Sequence, residues 1–324
     1  MSKMALLEIQ SLSVEYRTRR GNVRAVDDVS LQLDEGEMLG LVGESGSGKS
    51  TLGLSIMKLL PPSGVIVGGR ILLEGVDIAS LSEEEMRQVR GSKVAYIFQD
   101  PMTSLNPVKK IGDHFVELIR THNPEVSKEE ALETAKRALK DVGILPERVN
   151  DYPHQFSGGM RQRIMIALAI GLNPRLVIAD EPTTALDVIV QAKILDLLNQ
   201  LRQRYRMGLI LITHDLSIVL ERADRISVMY AGSIVESATA HALHRDPRHP
   251  YTQGLLRSIP NIELDSQKLE AIPGSPPNLL DPLSGCRFWP RCRYAEEVCK
   301  KDIPPIVEVA PGHQVRCFRE VDLS

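Results

Sequence analysis

A chain of 324 residues with a formal net charge of −3 and 43% hydrophobic content has room for one large α/β domain and a smaller appendage. It lacks the basic field that argues for nucleic acid, and no apolar run approaches the roughly 20 residues that span a bilayer. The first residues lack a signal peptide's long apolar segment, so the composition predicts a cytosolic chain that meets a membrane only through a partner.

Residues 9–16 alternate apolar and polar as a strand does, and 22–33 read similarly, with Asp27 and Asp28 at a turn. Residues 38–42 are a buried strand feeding the run GESGSGKST at 43–51. A helical pattern from 49 to 60 ends at Pro61 and Pro62, and 70–74, after Gly68 and Gly69, reads as a hairpin arm. The spacing predicts helices over 111–121, 128–142 and 160–171, with Ser127 ahead of Glu129 and Glu130 as an N-cap. This mostly helical insert, 103–172, reads as a separate subdomain. The α/β pattern resumes at Leu176, includes a buried strand at 209–213 and runs to about residue 237. Beyond 240, Pro247, Pro250, Pro260, Pro273, Pro276, Pro277 and Pro282 predict a loop-rich tail, and all four cysteines lie in it.

The run at 43–51 fits G-x-x-x-x-G-K-[ST] in the strand–loop–helix context that the motif requires. Its Gly43, Ser45, Gly46, Ser47, Gly48, Lys49, Ser50 and Thr51 are candidate ATP-binding residues. Lys49 is expected to reach the β/γ phosphates and Ser50 to ligate Mg²⁺, while the N–H groups of Gly46 to Thr51 take phosphate oxygens. Residues 176–180 end an apolar strand on Asp180 and Glu181. The first suits Mg²⁺ coordination and the second a general base for the attacking water. At 157–162, SGGMRQ is a Gly-rich turn opening another apolar-periodic helix, a second N-terminus suited to an anion. Two phosphate-facing sites in one chain predict ATP shared between two subunits.

These motifs resemble the ATP-binding-cassette (ABC) ATPases, in family order, over roughly residues 5 to 240. The resemblance implies an α/β fold of the ABC-type P-loop class: a RecA-like core, an antiparallel β subdomain and a helical subdomain at about 103–172, together spanning 1–240. A small loop-rich cysteine-containing domain then occupies 241–324. It also implies that Tyr16 stacks on adenine, although a half-buried strand aromatic reads the same way. Gln99 matches the Q-loop glutamine, which contacts Mg²⁺, and His214 the switch histidine that contacts the γ-phosphate. FSGGM at 156–160 matches the LSGGQ signature with Phe156 for Leu and Met160 for Gln. The Ser157 hydroxyl and the amides of Gly158 and Gly159 remain to meet the other subunit's γ-phosphate. Ala185, Leu186 and Asp187 match the D-loop. Glu181, His214 and Gln99 are then the catalytic set, and Ser50, Gln99 and Asp180 the Mg²⁺ ligands.

FQDPMTSLNP at 98–107, RHPYT at 248–252, IPGSPP at 272–277 and GCRF at 285–288 are similar to the D-type ATPase subunits of dipeptide/oligopeptide importers. That implies a paralogous ATPase partner (or a second copy), two permease subunits, an extracytoplasmic substrate-binding protein acting indirectly, and a peripheral position on the cytoplasmic face of the cell membrane. A nickel importer of the same family, or a soluble ABC ATPase, is the alternative. Cys286, Cys292, Cys299 and Cys317 follow the spacing C-x5-C-x6-C-x17-C, which lacks zinc-knuckle spacing and leaves iron–sulfur, zinc and free or disulfide-linked thiols open. The resemblance implies a [4Fe-4S] cluster on these four. Arg287, Arg291, Arg293, Lys300 and Lys301 around them are expected either to offset cluster charge or to form a solvated basic face.

Overall fold

The computed structural model describes residues 5–100, 104–184, 186–259, 271–280 and 284–320. In chain order its strands are β1 (Leu7–Thr18), β2 (Gly21–Leu33), β3 (Met38–Val42), β4 (Gly64–Leu73), β5 (Val76–Asp77), β6 (Val94–Ile97), β7 (Leu176–Asp180), β8 (Gly208–Thr213), β9 (Arg225–Tyr230), β10 (Ser233–Thr239), β11 (Val307–Ala310) and β12 (His313–Val315). By internal contacts the chain divides into two units. One comprises Met1–Leu6, Leu33–Glu37 and Ser80–Ile210; the other comprises Leu7–Gln32, Met38–Ala79 and Leu211–Ser324.

The first unit holds the parallel pair β6 and β7, in register from Val94 with Leu176 to Ile97 with Ala179. Both strands are buried at every position, as parallel strands covered on both faces are. The helices Ile111–His122, Lys128–Asp141 and Gly158–Ile170 pack on one another. Ser127 caps the second of these by accepting from the Glu130 amide at 3.2 Å, and Glu130 returns the bond to the Ser127 amide at 2.9 Å. A matching box at Ser82 and Glu85 starts a short helix, Glu83–Val89, that the hydrophobic spacing alone does not announce. The helix Val188–Tyr205 is capped by Asp187 and ends at Arg206 in the left-handed region, φ 51.

In the second unit, the four-stranded sheet β2-β1-β4-β5 carries the N-terminal segment, with β1 antiparallel to β4 and β4 antiparallel to β5. β3 pairs in parallel with β9, which pairs antiparallel with β10. The helix predicted to reach residue 60 stops at Ile56, because Lys58 turns to φ 50 ahead of the two prolines.

The tail is less irregular than its prolines suggest. It contains the helices Ala240–Arg245 and Pro250–Arg257. It also contains an antiparallel pair, β11 and β12, that extends β10 through Glu236 with Val315 and Ser237 with Gln314. Glu236 is fully buried and organises this joint. Its carboxylate accepts from the Arg248 amide at 2.7 Å, the His249 amide at 2.9 Å and His313 Nε2 at 2.7 Å. A buried carboxylate with three donors is satisfied where a bare one would be costly.

His249 is itself buried, and its Nδ1 accepts from the Tyr251 amide at 3.1 Å, capping Pro250–Arg257. Burial pushes its pKa down to about 3, so the folded imidazole is neutral and its proton sits on Nε2. Below about pH 6.5 the unfolded imidazole gains a proton that the folded one refuses. The stability contributed by the neutral form is complete above that pH and is lost as pH falls toward about 3. His249→Asn is expected to flatten the unfolding free energy against pH by up to about 1.4 kcal/mol per pH unit below pH 6.5. Denaturant titrations at a series of pH values read this slope directly, and an unchanged slope contradicts the assignment.

Candidate functional site

The phosphate-type loop belongs to the second unit. β3 is buried throughout, so the loop departs from a fixed point. A Cβ on Gly43 would lie 2.0 Å from the Met229 carbonyl oxygen, so no other residue fits. Gly48 caps the helix Lys49–Ile56 at φ 105, a conformation strained for any L side chain. Lys49 is only 5% exposed, and its Nζ donates to the carbonyls of Gly43 at 2.8 Å and Glu44 at 2.9 Å, with Ser47 Oγ at 3.5 Å. The ammonium is therefore held over the loop, which adds its charge to amides already suited to an anion. Ser45, Gly46 and Ser50 are exposed at the loop surface. Tyr16 is half-buried, its hydroxyl 3.2 Å from Thr51 Oγ1. His214, just after β8, is exposed.

The carboxylates belong to the first unit. Asp180 is 7% exposed at the end of β7 and accepts from the Tyr96 hydroxyl at 2.7 Å. Burial, reinforced by the Asp180 charge, raises the Tyr96 pKa, so its hydroxyl stays protonated as a donor. Glu181 sits at φ 44, a backbone conformation uncommon outside glycine. Its carboxylate accepts from Gln99 Nε2 at 3.1 Å and from Thr184 Oγ1 at 3.0 Å. The structure thus joins Gln99 to Glu181 across 82 residues of sequence.

Ser157 caps Gly158–Ile170 by accepting from the Met160 amide at 3.4 Å. A Cβ on Gly159 would meet Val190 Cγ1 at 2.7 Å, so glycine lets this helix start approach the helix after the D-loop. Arg148 lies over the Phe156 ring at 3.9 Å and reaches Met160 Sδ at 3.8 Å. Met160 therefore packs on a guanidinium, and Arg161 Nε donates to the Phe156 carbonyl at 2.9 Å. Pro101, Met102, Thr103 and Ala185 of the quoted motifs lie outside the described residues.

Two residues to which the motif reading gave no role at the site, Tyr251 and Arg291, stand against the phosphate loop. The Glu44 amide donates to the Tyr251 hydroxyl at 3.0 Å, and the Glu44 carboxylate pairs with Arg291 at 2.9 Å. Tyr251 lies in RHPYT, which the sequence offers only as a resemblance, and Arg291 lies among the cysteines. Of the five cations expected around those cysteines, Arg287 and Arg291 are ion-paired, Arg287 with Asp27 at 2.5 Å. Lys300 pairs with Glu297 at 2.5 Å, and Arg293 lies over Tyr294 at 4.9 Å. Arg287 and Arg291 therefore tie the tail to Asp27 and Glu44, while Lys300 and Arg293 make contacts within it.

The four cysteines are half-buried and free. Burial pushes Cys286 and Cys317 up to about 11, against the pull of the Phe288 and Trp289 amides on Cys286 and of the Arg319 amide on Cys317. Burial also raises Cys292, where the Tyr294 amide opposes it. Cys317 senses the charge of the other three, so the chain brings all four into one neighbourhood. Among the described residues, no group of three or more His, Cys, Asp or Glu side chains stands in an arrangement that could hold a metal ion.

The family model described as ABC transporter matches residues 26–184, and that for the oligopeptide/dipeptide transporter C-terminal region matches 235–299. The oligopeptide transport ATP-binding protein OppD of Bacillus subtilis (strain 168) is 50% identical over 317 residues, covering 97% of this chain and 88% of that protein. The dipeptide transport ATP-binding protein DppD of Escherichia coli (strain K12) is 46% identical over 325 residues, covering 98% of each. Among solved structures, the dimeric post-hydrolysis state of the ATP-binding cassette MJ0796 with ADP and Pi is 28% identical, with a TM-score of 0.64 over 72% of this chain and 98% of that one. CbiO1 from Clostridium perfringens, part of the ABC transporter complex CbiONQ, is 26% identical with a TM-score of 0.64, over 75% of this chain and 91% of that one.

Gly43→Ala drives a methyl group into the Met229 carbonyl. The expected outcome is a loss of about 1–3 kcal/mol in unfolding free energy and a collapse of ATP affinity, read by chemical denaturation and by binding of a fluorescent ATP analogue.

Proposed function

The chain belongs to the ABC ATPase subunits of peptide importers, and on that premise we propose how its own residues divide the work. It is an ATP-hydrolysing subunit that powers peptide import, using ATP and Mg²⁺ and working with permease partners as one of a pair of cassettes.

The observation that carries the assignment of roles is the geometry of Glu181: a carboxylate at the end of a buried strand, held by Gln99 and Thr184 on a backbone of positive φ. Glu181 is the general base, orienting water toward the γ-phosphate, with Gln99 fixing its direction. Lys49 and the amides of the 43–51 loop hold the phosphates, and His214 contacts the γ-phosphate. Tyr16 faces the adenine, and its bond to Thr51 ties that aromatic to the loop. Ser50, Gln99 and Asp180 are the residues that would hold Mg²⁺, which would supply charge neutralisation of the phosphates; the buried carboxylate of Asp180 suits such an ion. The Ser157 helix start, with Gly158 and Gly159, faces the ATP held by the second cassette, where its positive end stabilises the charge of the transition state.

The second cassette is a paralogue or a further copy, the pair sits under two permease subunits on the cytoplasmic face of the membrane, and an extracytoplasmic binding protein delivers the peptide. Among the described residues, no helix is long and apolar enough to cross a membrane. Residues 1–240 form the cassette and 241–324 the C-terminal domain, a division supported by the second family match starting at 235.

Glu181→Gln is expected to lower kcat at least a hundredfold while an ATP-bound pair of cassettes accumulates, seen by light scattering after size exclusion. Near-wild-type hydrolysis in that variant overturns the assignment of the base.

Cys286, Cys292, Cys299 and Cys317 are further proposed as ligands of a [4Fe-4S] cluster. Four thiolates around one zinc at about 2.3 Å would stand about 3.8 Å apart. Here Cys317 lies within the electrostatic influence of Cys286, Cys292 and Cys299, but among the described residues no group is arranged to hold a metal ion, so the cluster rests on the four-cysteine pattern of the tail. Amides aimed at Cys286, Cys292 and Cys317 only partly offset the burial that favours their neutral thiols, so a cluster would displace their protons on binding. The cluster would staple a tail too small for its own core, with no part in hydrolysis. Anaerobically purified protein is expected to contain about four irons and four acid-labile sulfides per chain. One zinc without sulfide, or neither metal, overturns the cluster and leaves the ATPase reading intact.

A further inference from the structure

Glu44 places a carboxylate in a loop that binds a polyanion. An unpaired negative charge there opposes the phosphates, and the opposition is strong where solvent is partly excluded. The tail removes that opposition. Arg291 is 6% exposed at its side chain and pairs through Nη1 with Glu44 Oε2 at 2.9 Å. The rest of its fork is fixed: Nε donates to the Pro273 carbonyl at 2.9 Å, Nη2 to the Ile272 carbonyl at 3.4 Å and Nη1 to the Tyr230 hydroxyl at 3.3 Å. A second tether acts on the Glu44 backbone, whose amide donates to the Tyr251 hydroxyl at 3.0 Å.

Tyr251 is fully buried against Tyr230 at 4.6 Å and Phe288 at 5.4 Å between ring centroids. Its hydroxyl is therefore a fixed point rather than a mobile one. The Glu44 carbonyl in turn accepts from Lys49 Nζ at 2.9 Å. Movement at Glu44 is movement of the lysine that faces the phosphates.

We propose that Arg291, assisted by Tyr251, is a positioning residue for nucleotide binding: the C-terminal tail neutralises and holds Glu44 so that the phosphate loop presents an unopposed positive face to ATP. The inference rests on the reading that the 43–51 loop binds ATP, and both residues act through Glu44. Arg291 ends the turn Trp289–Arg291 between Cys286 and Cys292. The fold of the cysteine segment thus sets where the guanidinium stands, linking the tail to the affinity of the loop for ATP.

The test compares Arg291→Met, Arg291→Lys, Glu44→Gln and the double variant Arg291→Met/Glu44→Gln, each in the full-length chain, by affinity for a fluorescent ATP analogue and by the KM and kcat of hydrolysis. Arg291→Met is expected to raise Kd and KM about tenfold with kcat within about twofold of wild type. Arg291→Lys recovers part of that loss by restoring charge without the fork. The double variant returns to within about twofold of wild type, because the carboxylate that opposed the phosphates is gone.

A residue that merely glues the tail would lower the thermal midpoint and leave KM unmoved, and a double variant as weak as Arg291→Met would show that charge at Glu44 is not the cause; either result overturns the proposal. Should Arg291→Met fail to fold, Arg291→Lys carries the test: its raised KM must vanish in the Glu44→Gln background, and persistence there overturns the inference. Lys49→Ala separates the two readings. Undiminished ATP binding in that variant removes the loop from nucleotide binding altogether, whatever Arg291 does.

Discussion

The loop between β3 and the helix Lys49–Ile56 has to stay in one shape if its amides are to meet phosphate. Inside the loop the Ser47 amide donates to the Glu44 carbonyl at 3.2 Å. Further constraints come from Gly43 pressed against the Met229 carbonyl, Gly48 in the left-handed region, and Lys49 bonded to the carbonyls of Gly43 and Glu44. These three fix the loop through carbonyls or through sterics. The neighbouring structure has the same character. β9 delivers Met229 and Tyr230 to the loop, and RHPYT delivers the Tyr251 hydroxyl, which anchors only the Glu44 amide at the loop's outer edge.

The sequence made this loop legible because strand, glycines, lysine and helix are contiguous and their chemistry is local. The same holds for Ser127 and Glu130, three residues apart, whose reciprocal cap forms as expected. Asp180 and Glu181 were readable as a strand end, whereas the Gln99 bond that aims Glu181 spans 82 residues and enters only through resemblance. Tyr96, Tyr251 and Arg291 carried no such signal. A tyrosine inside a buried strand reads as core, and an arginine among cysteines reads as a partner of the thiols. Their real partners, Asp180 and Glu44, lie 84, 207 and 247 residues away. The tail strands β11 and β12 were hidden for a related reason. They are four and three residues long, and their pairing is set by Glu236 and β10 rather than by their own pattern.

The tail is legible as a separate chemistry but not as a brace. Four clustered cysteines in a chain expected to be cytosolic point to ligation, and attention falls on the sulfurs. The interactions that bind the segment to the rest of its unit are made by its other residues. Phe288 packs at 5.2 Å from Tyr230, Arg287 pairs with Asp27, and Arg316 reaches Asp28 at 2.8 Å. Removing one partner from a pair as buried as Arg287 and Asp27 costs more than a surface ion pair contributes. The segment thus has anchors that do not depend on what the sulfurs hold.

Carboxylates are the recurring hazard for a protein of net charge −3 that handles a polyanion, and three of them carry the proposed chemistry or border it. Each has its own donors within its own unit: Asp180 the Tyr96 hydroxyl, Glu181 the Gln99 amide and the Thr184 hydroxyl, Glu44 the Arg291 guanidinium. The donors differ in kind, and the difference matches the task. The Tyr96 and Thr184 hydroxyls and the Gln99 amide orient Asp180 and Glu181, as the proposed ion ligand and general base both require. Glu44 receives a full positive charge, which cancels its field and leaves it no role as ligand or base. A charge that the chemistry uses is oriented, and one that only threatens the phosphates is neutralised.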